Sequence, residues 1–172
     1  MDKNIVLVGF MGTGKSAVGH ILAHKLNREF VDMDIVIEAR AGKPISAIFA
    51  DDGEPAFRAQ ERALVQELSA RTGQIIATGG GVVLNPDNVT DFSRTGVVVC
   101  LRAQPETILD RVAHDSHRPL LESDPDKAAA IRELLAHRKP LYEAIPLHVD
   151  TDHRTAREVA EEVLALYLGQ AN

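Results

Sequence analysis

Short apolar runs alternate with longer amphipathic stretches along the chain. The apolar runs predict strands at 5–8, 30–32, 75–78, 97–101 and 148–150. Apolar residues at helical spacing predict helices at 16–26, 35–41, 54–71, 86–92, 105–112, 127–142 and 155–168. This alternation predicts one domain over residues 1–172, with a three-layer α/β/α fold around a central five-stranded parallel sheet.

In such a sheet, ligands bind beyond the carboxyl ends of the strands. The first predicted strand is followed there by Gly9-Phe10-Met11-Gly12-Thr13-Gly14-Lys15-Ser16, which fits the phosphate-loop pattern G-x-x-x-x-G-K-[ST] without a mismatch. Its backbone N–H groups and the following helix N-terminus would hold phosphates. Lys15 would reach the outer phosphates, and the Ser16 hydroxyl would ligate Mg²⁺. The loop predicts a nucleotide, but it leaves the acceptor open.

Composition removes several classes of function. The chain has 172 residues and a net charge of -6, which gives no overall basic footprint for nucleic acid. Its single cysteine, Cys100, lies in an apolar strand and is expected to be a small buried residue rather than a nucleophile. With no signal peptide and no stretch long enough to span a bilayer, a soluble cytoplasmic protein without membrane contact is expected.

Two carboxylates, Asp32 and Asp34, follow the second strand. In an extended stretch, residues two apart point the same way, so both would face the phosphates. One could hold Mg²⁺, directly or through water, and the other could accept a proton from an attacking hydroxyl. The alternative is that Asp34 is only the N-cap of the next helix.

Other candidate residues lie after the third strand and on two helices. The run Gly79-Gly80-Gly81 permits close approach of the backbone to a ligand, although a tight turn alone would explain it. Arg58 and Glu61 are three apart on a helix, so Glu61 could orient Arg58 toward a carboxylate. Sequence physics alone favours a solvated surface position for Arg58, and likewise for Arg138, which precedes Tyr142 by four residues.

The segment from His114 to Asp126 shows no clean period. It is polar, contains prolines and connects two predicted helices. In a phosphate-transferring enzyme it is a candidate lid, at about residues 114–124. An ordinary surface loop is the alternative.

Taken together, these segments resemble the shikimate kinases over nearly the whole chain. The resemblance rests on the ordered set of the phosphate loop; Phe30 to Asp34; Gly42 with Ile45, Ile48 and Phe49; Gly53-Glu54 with Phe57-Arg58 and Glu61; Thr78 to Gly81; Arg111; Arg118 to Leu121; Arg138 and Tyr142; and Val149 to Thr151. Many families share the phosphate loop, whereas the ordered set is specific.

The resemblance implies a P-loop kinase that phosphorylates the 3-hydroxyl of shikimate with ATP and Mg²⁺. The expected partners are shikimate and ATP, without nucleic acid or membrane, and the expected oligomeric state is a monomer. It implies that Asp34 binds the substrate hydroxyls and accepts a proton, and that Asp32 supports Mg²⁺ through water. It further implies substrate contacts from Arg58, Arg138 and Gly79 to Gly81. The implied ATP-binding residues are Gly12, Thr13, Gly14, Lys15, Ser16, Ala17, Arg111, Arg118 and Arg154.

Within that set, Lys15, Asp34 and Arg118 carry the implied catalytic roles. Arg111 would stack on adenine, with the loop near Asp152, His153 and Arg154 on its other side. The family often has a proline after that loop, where this chain has Thr155-Ala156, so the second adenine contact is left open.

Three other functions are compatible with a phosphate loop. Another small-metabolite kinase, such as a gluconate kinase, would share the fold but lack the combination of Arg58, the triple glycine and Arg138. A nucleoside monophosphate kinase would need a base-reading pocket, for which the sequence has no distinct sign. A GTP-dependent switch usually carries an Asn-Lys-x-Asp motif, and none occurs in this sequence.

Overall fold

The computed structural model describes residues 2–112 and 126–171. The strands of the described chain lie close to the predicted positions, and the bounds of each differ from the prediction by no more than one residue. They are β1 (Asn4–Val8), β2 (Phe30–Asp32), β3 (Ile75–Ala77), β4 (Gly96–Arg102) and β5 (Leu147–Asp150).

Helices connect these strands, and a short 3₁₀ turn at Val82–Leu84 follows the glycine run. The helices of the described residues are α1 (Lys15–Leu26), α2 (Met33–Ala41), α3 (Ile45–Asp52), α4 (Glu54–Ser69), α5 (Pro86–Thr95), α6 (Pro105–Val112), α7 (Lys127–Glu143) and α8 (Ala156–Ala171). No helix in this part of the chain is both long and apolar enough to cross a membrane.

The five strands form one parallel sheet in the order β2-β3-β1-β4-β5. The chain leaves β1 toward one edge and later returns past it to build the other edge. The carboxyl end of β1 is therefore the point where the strand order reverses, and a crevice forms there. Because β3 pairs directly with β1, the glycine run after β3 lies beside the phosphate loop, as predicted.

Alternate residues of the strands face the two helical layers. Ile5 and Leu7 of β1 point to a core shared with α1 and α8, whereas Val6 and Val8 point to a core shared with α4 and α7. All four side chains are fully buried. Both faces of the sheet are covered, so the predicted three-layer α/β/α architecture is confirmed.

One helix was not predicted. Helix α3 packs against α4, and its Ile48 is fully buried. The spacing of Ile45, Ile48 and Phe49 is helical, but the segment is only eight residues long and lies between Pro44 and Gly53, two residues that normally indicate a loop. Helix α3 forms because it packs on the longer helix beside it.

Candidate active site

The phosphate loop joins β1 to α1. Gly9 has φ +146, and a Cβ there would lie 2.5 Å from the Leu101 carbonyl oxygen, so only glycine fits. The Thr13 hydroxyl donates to the Phe10 carbonyl at 2.8 Å. The Lys15 ammonium lies over the loop, 2.7 Å from the Gly9 carbonyl oxygen and 3.0 Å from that of Phe10. The positive charge of Lys15 is thus positioned beside a loop of the type whose backbone N–H groups bind anions.

Asp32 caps helix α2. One of its oxygens accepts hydrogen bonds from the backbone N–H groups of Asp34 (3.1 Å) and Ile35 (3.3 Å), and the other accepts from the Ser16 hydroxyl at 2.7 Å. The N-cap is therefore Asp32, and the alternative that assigned this role to Asp34 is wrong. The helix begins at Met33 because the Asp32 carboxylate satisfies its first backbone donors.

Asp34 lies in the first turn of α2, not on an extended strand. The alternation rule that predicted two parallel carboxylates does not apply here. Asp32 and Asp34 nevertheless line the same cavity.

The glycine run brings backbone close to charged side chains. A Cβ on Gly79 would lie 2.8 Å from Asp34 Oδ1, and a Cβ on Gly81 would lie 2.4 Å from Arg58 Nη2. Both glycines leave room for these groups beside the backbone. The run therefore does more than form a turn, because it admits these charged side chains; close approach of a ligand to it stays a prediction.

Arg58 is held between two carboxylates of its own helix. Its Nη1 donates to both oxygens of Glu61, at 3.0 and 3.2 Å, and its Nε and Nη2 donate to Glu54 at 3.3 Å each. Only 2% of the Glu61 side chain is exposed. Burial raises the pKa of the Glu61 carboxyl, and the neighbouring Arg58 guanidinium opposes that rise. Glu61 is buried and Arg58 is partly buried, so the expectation of a solvated surface pair is wrong.

Arg138 is buried as well. Its residue exposure is 3%, and its guanidinium carbon lies 5.8 Å from the centre of the Phe10 ring. Its Nε has no hydrogen-bond partner among the described residues. A Cβ on Gly80 would lie 3.4 Å from its Nη1. The expectation from sequence physics that Arg138 is solvated is also wrong, and α7 directs this cation toward the glycine run.

The two arginines expected near adenine have different environments. Arg111 joins the phosphate loop to the segment after β5: Nη1 donates to the Gly12 carbonyl at 3.0 Å, and Nη2 to the Thr151 carbonyl at 3.0 Å. Arg154 instead pairs with Glu162 at 2.6 Å and donates to the Asp150 carbonyl. Arg111 lines the cavity, whereas Arg154 is not among the residues that line it.

One cavity of about 550 Å³ connects these groups, a volume typical of small-ligand sites. The predicted site residues that line it are Gly12, Gly14, Lys15, Ser16, Ala17, Asp32, Asp34, Arg58, Gly79, Gly80, Gly81, Arg111 and Arg138. Sequence reasoning missed one wall of the cavity, which α3 and its neighbours supply through Pro44, Ile45, Ser46 and Phe49. The predicted lid at 114–124 and Arg118 lie outside the described residues.

The cavity has two differently equipped ends. Near α1 stand the phosphate loop, which suits a polyphosphate, and the Ser16–Asp32 oxygen pair, which suits a divalent cation that accompanies it. Near α4 and α7 stand the buried Arg138, the partly buried Arg58, a carboxylate and bare glycine backbone, which suit a small hydroxylated anion. A parallel sheet with a phosphate loop at its switch point and such an acceptor end defines a P-loop kinase.

Comparison with known proteins identifies the family of P-loop kinases to which the chain belongs. The family model described as shikimate kinase matches residues 11–167. The shikimate kinase of Caldanaerobacter subterraneus subsp. tengcongensis is 46% identical over 167 residues, which is 96% of each chain. The chain therefore belongs to the shikimate kinase family and is an enzyme of ATP-dependent shikimate phosphorylation.

Solved structures agree with this assignment. The structure of shikimate kinase from Acinetobacter baumannii in complex with shikimate matches with a TM-score of 0.93 and 38% identity, covering 99% of this chain and 95% of that one. A gluconokinase from Sinorhizobium meliloti matches with a TM-score of 0.61 at 19% identity, covering 98% of this chain and 95% of that one, so it shares the fold alone.

Proposed function

We propose that this enzyme transfers the γ-phosphoryl group of ATP to the 3-hydroxyl of shikimate, with Arg58 and Arg138 binding the shikimate carboxylate. The observation that carries the proposal is the placement of both guanidiniums beside the glycine run, in the cavity that the phosphate loop also lines: Arg138 is buried, and Arg58 is partly buried against the buried Glu61. A buried cation needs a charged partner, and a planar guanidinium matches a carboxylate through two hydrogen bonds. Arg138 Nε, which has no partner in the described chain, is a donor that a ligand or a water at this end can satisfy.

The reacting hydroxyl is assigned to Asp34. This carboxylate stands beside Gly79 and lines the same cavity as the phosphate loop and the two arginines. There it can orient a ring hydroxyl and accept its proton as the oxygen attacks phosphorus. The bare backbone of Gly79 to Gly81 lets the Asp34, Arg58 and Arg138 side chains approach it closely, so the groups proposed to bind the ring hydroxyls and the carboxylate converge there.

Charge neutralisation at the phosphates is assigned to Lys15 and to Arg118, the latter from the sequence resemblance alone. Positive charge there stabilises the transferring group, which is most of what phosphoryl transfer requires. The adjacent Ser16 and Asp32 oxygens are a donor set that suits Mg²⁺, with Asp32 acting through water. Bound Mg²⁺ would neutralise charge on the phosphate oxygens. Arg111 is proposed to pack on adenine; the role of Arg154 there remains a prediction.

A coupled ADP-release assay with shikimate, gluconate and AMP, each with ATP and with GTP, tests the proposal. We expect turnover with ATP and shikimate only, and a phosphorus coupling to the ring proton at carbon 3 in the NMR spectrum of the product. Lys15→Ala, prepared in parallel, controls for contaminating kinases. Preferred turnover of gluconate or AMP would contradict the proposal.

Two further parts of the proposal concern the molecule as a whole. We expect a monomer of 18.7 kDa by light scattering, and a cytoplasmic location, where ATP is available. The single domain over residues 1–172 stays a prediction, which limited proteolysis tests: one resistant core is expected.

A further inference from the structure

Tyr142 connects the two elements that carry the acceptor end of the cavity. It lies on α7, four residues after Arg138, and its hydroxyl donates to the carbonyl oxygen of Gly80. Tyr142 and Gly80 are 62 positions apart in the chain. Tyr142 is 5% exposed and is not among the residues that line the active-site cavity. It therefore touches the groups that form the site without facing the space where the acceptor binds.

The position of Arg138 depends on how α7 sits against the glycine run. Arg138 Nη1 lies over Gly80, 3.4 Å from where a Cβ would be, and the described chain offers its Nε no hydrogen bond. Pro140 lies between Arg138 and Tyr142. Because proline has no backbone N–H, the helix lacks one of its backbone hydrogen bonds there. The Tyr142 hydroxyl is a direct hydrogen bond from this turn of α7 to the Gly80 backbone.

The hydroxyl is suited to act as a permanent donor. Burial raises the pKa of Tyr142 to about 12, and the charge of Arg138 opposes that rise. The phenol is thus neutral and keeps its proton through the range in which the enzyme works. The backbone carbonyl of the same residue pairs with the His148 ring at 3.0 Å, which anchors this turn of α7 to β5.

We propose that Tyr142 is a positioning residue of the acceptor site: by holding the Gly80 carbonyl, its hydroxyl sets the distance between Arg138 and the glycine backbone across which shikimate must fit. This inference rests on the proposed binding of the shikimate carboxylate by Arg138. It separates two functions of α7, since Arg138 binds the ligand and Tyr142 fixes where Arg138 stands.

The test is Tyr142→Phe, which removes one oxygen and keeps the ring. We expect the KM and the calorimetric Kd for shikimate to rise about three- to tenfold, because the site loses a buried hydrogen bond and its geometry loosens. The KM for ATP should stay within about twofold, since the phosphate loop is untouched. If the role of Tyr142 were merely structural, Tyr142→Phe would lower the melting temperature without raising the KM for shikimate more than the KM for ATP.

Tyr167 provides a matched control. It is the second of two tyrosines in the chain, it is 4% exposed, and its hydroxyl accepts from Arg28 Nη2 at 3.0 Å, but it lies on α8 at the other face of the sheet. Tyr167→Phe should leave both KM values unchanged. An equal rise in shikimate KM for the two variants would overturn the inference.

A double-mutant cycle makes the test independent of folding effects. In an Arg138→Ala background, Tyr142→Phe should no longer change the shikimate KM, because the group it positions is gone. The same fold-change in both backgrounds would overturn the inference. Failure of the wild-type enzyme to phosphorylate shikimate would instead refute the proposed function, so the two failures are distinguishable.

Discussion

Gly9 and Gly81 lie at the two ends of the active site, and each is required for a different reason. Gly9 has φ +146, and a Cβ there would meet the Leu101 backbone at 2.5 Å. Gly81 has φ -92, which any residue adopts, and a Cβ there would meet the Arg58 guanidinium at 2.4 Å. At Gly9 the backbone conformation and the neighbouring backbone exclude a side chain. At Gly81 the side chain of Arg58 occupies the space that a Cβ would need.

This difference reflects how the two ends are built. The nucleotide end comes largely from one contiguous segment between β1 and α1. The acceptor end is assembled from α2, α4, α7 and the segment after β3. Changes at the first should impair transfer to any acceptor, whereas changes at the second should impair shikimate use and spare ATP binding.

The largest effect is expected from Lys15→Ala. Loss of a preorganised cation at the transferring phosphate should lower kcat by about a hundredfold to a thousandfold or more. Circular dichroism and the melting temperature should match the wild-type protein. A folded variant with near-normal kcat would contradict the catalytic role assigned to Lys15 and the assignment of this end of the cavity to the transferring phosphate.

The next largest effect is expected at the acceptor arginines. Arg58→Ala and Arg138→Ala should each lower kcat/KM for shikimate about thirtyfold or more, since truncating one partner of a buried charge pair costs roughly 2–5 kcal/mol. The calorimetric Kd for ATP should hardly change. Arg138→Lys should also be poor, because an ammonium cannot form the paired hydrogen bonds of a guanidinium.

Arg40→Ala is the matched control for these variants. Arg40 also forms two hydrogen bonds to a carboxylate, that of Glu67 at 2.8 and 2.9 Å, but both side chains are half exposed. Its removal should leave the kinetics unchanged. Loss of ATP affinity with normal shikimate affinity in either acceptor variant would show that the carboxylate-binding residues are assigned to the wrong end.

Gly9→Ala should act on stability. The left-handed backbone and the contact with Leu101 should lower the free energy of unfolding by about 1–3 kcal/mol. Urea unfolding followed by circular dichroism measures this change. A fully stable Gly9→Ala protein would contradict the steric account of the phosphate loop.

The smallest effect is expected from Gly81→Ala. The new methyl group would displace the flexible Arg58 side chain and not the backbone, so the shikimate KM should rise about three- to tenfold with little change in stability. Gly169→Ala, on an open face of α8, controls for replacement of a glycine and should leave the KM unchanged. A Gly81→Ala protein that is unstable but binds shikimate normally would contradict the account, because Gly81 would then be required for stability, as Gly9 is, and not for room beside Arg58.

The two ends also differ in how far the sequence predicts them. The phosphate loop, the strands and the order of elements follow from local patterns, because a glycine loop between a strand and a helix has few alternatives. The burial of Arg138 and of Glu61, which holds Arg58, does not follow from local patterns, since it arises from the tertiary packing of α7 and α4. Only the family resemblance indicated the role of the two arginines. The short helix α3 likewise depends on tertiary contacts with α4. The capping of α2 is local, but both aspartates are residue types that cap helices, so the pattern alone did not identify Asp32.

The central claim is that Arg58 and Arg138 bind the acceptor through its carboxylate. The most direct measurement compares kcat/KM for shikimate with that for its uncharged methyl ester, in the wild-type enzyme and in Arg138→Ala. We predict that the wild-type enzyme favours the free acid about thirtyfold or more and that the preference largely disappears in the variant. An undiminished preference for the free acid in Arg138→Ala would contradict the account.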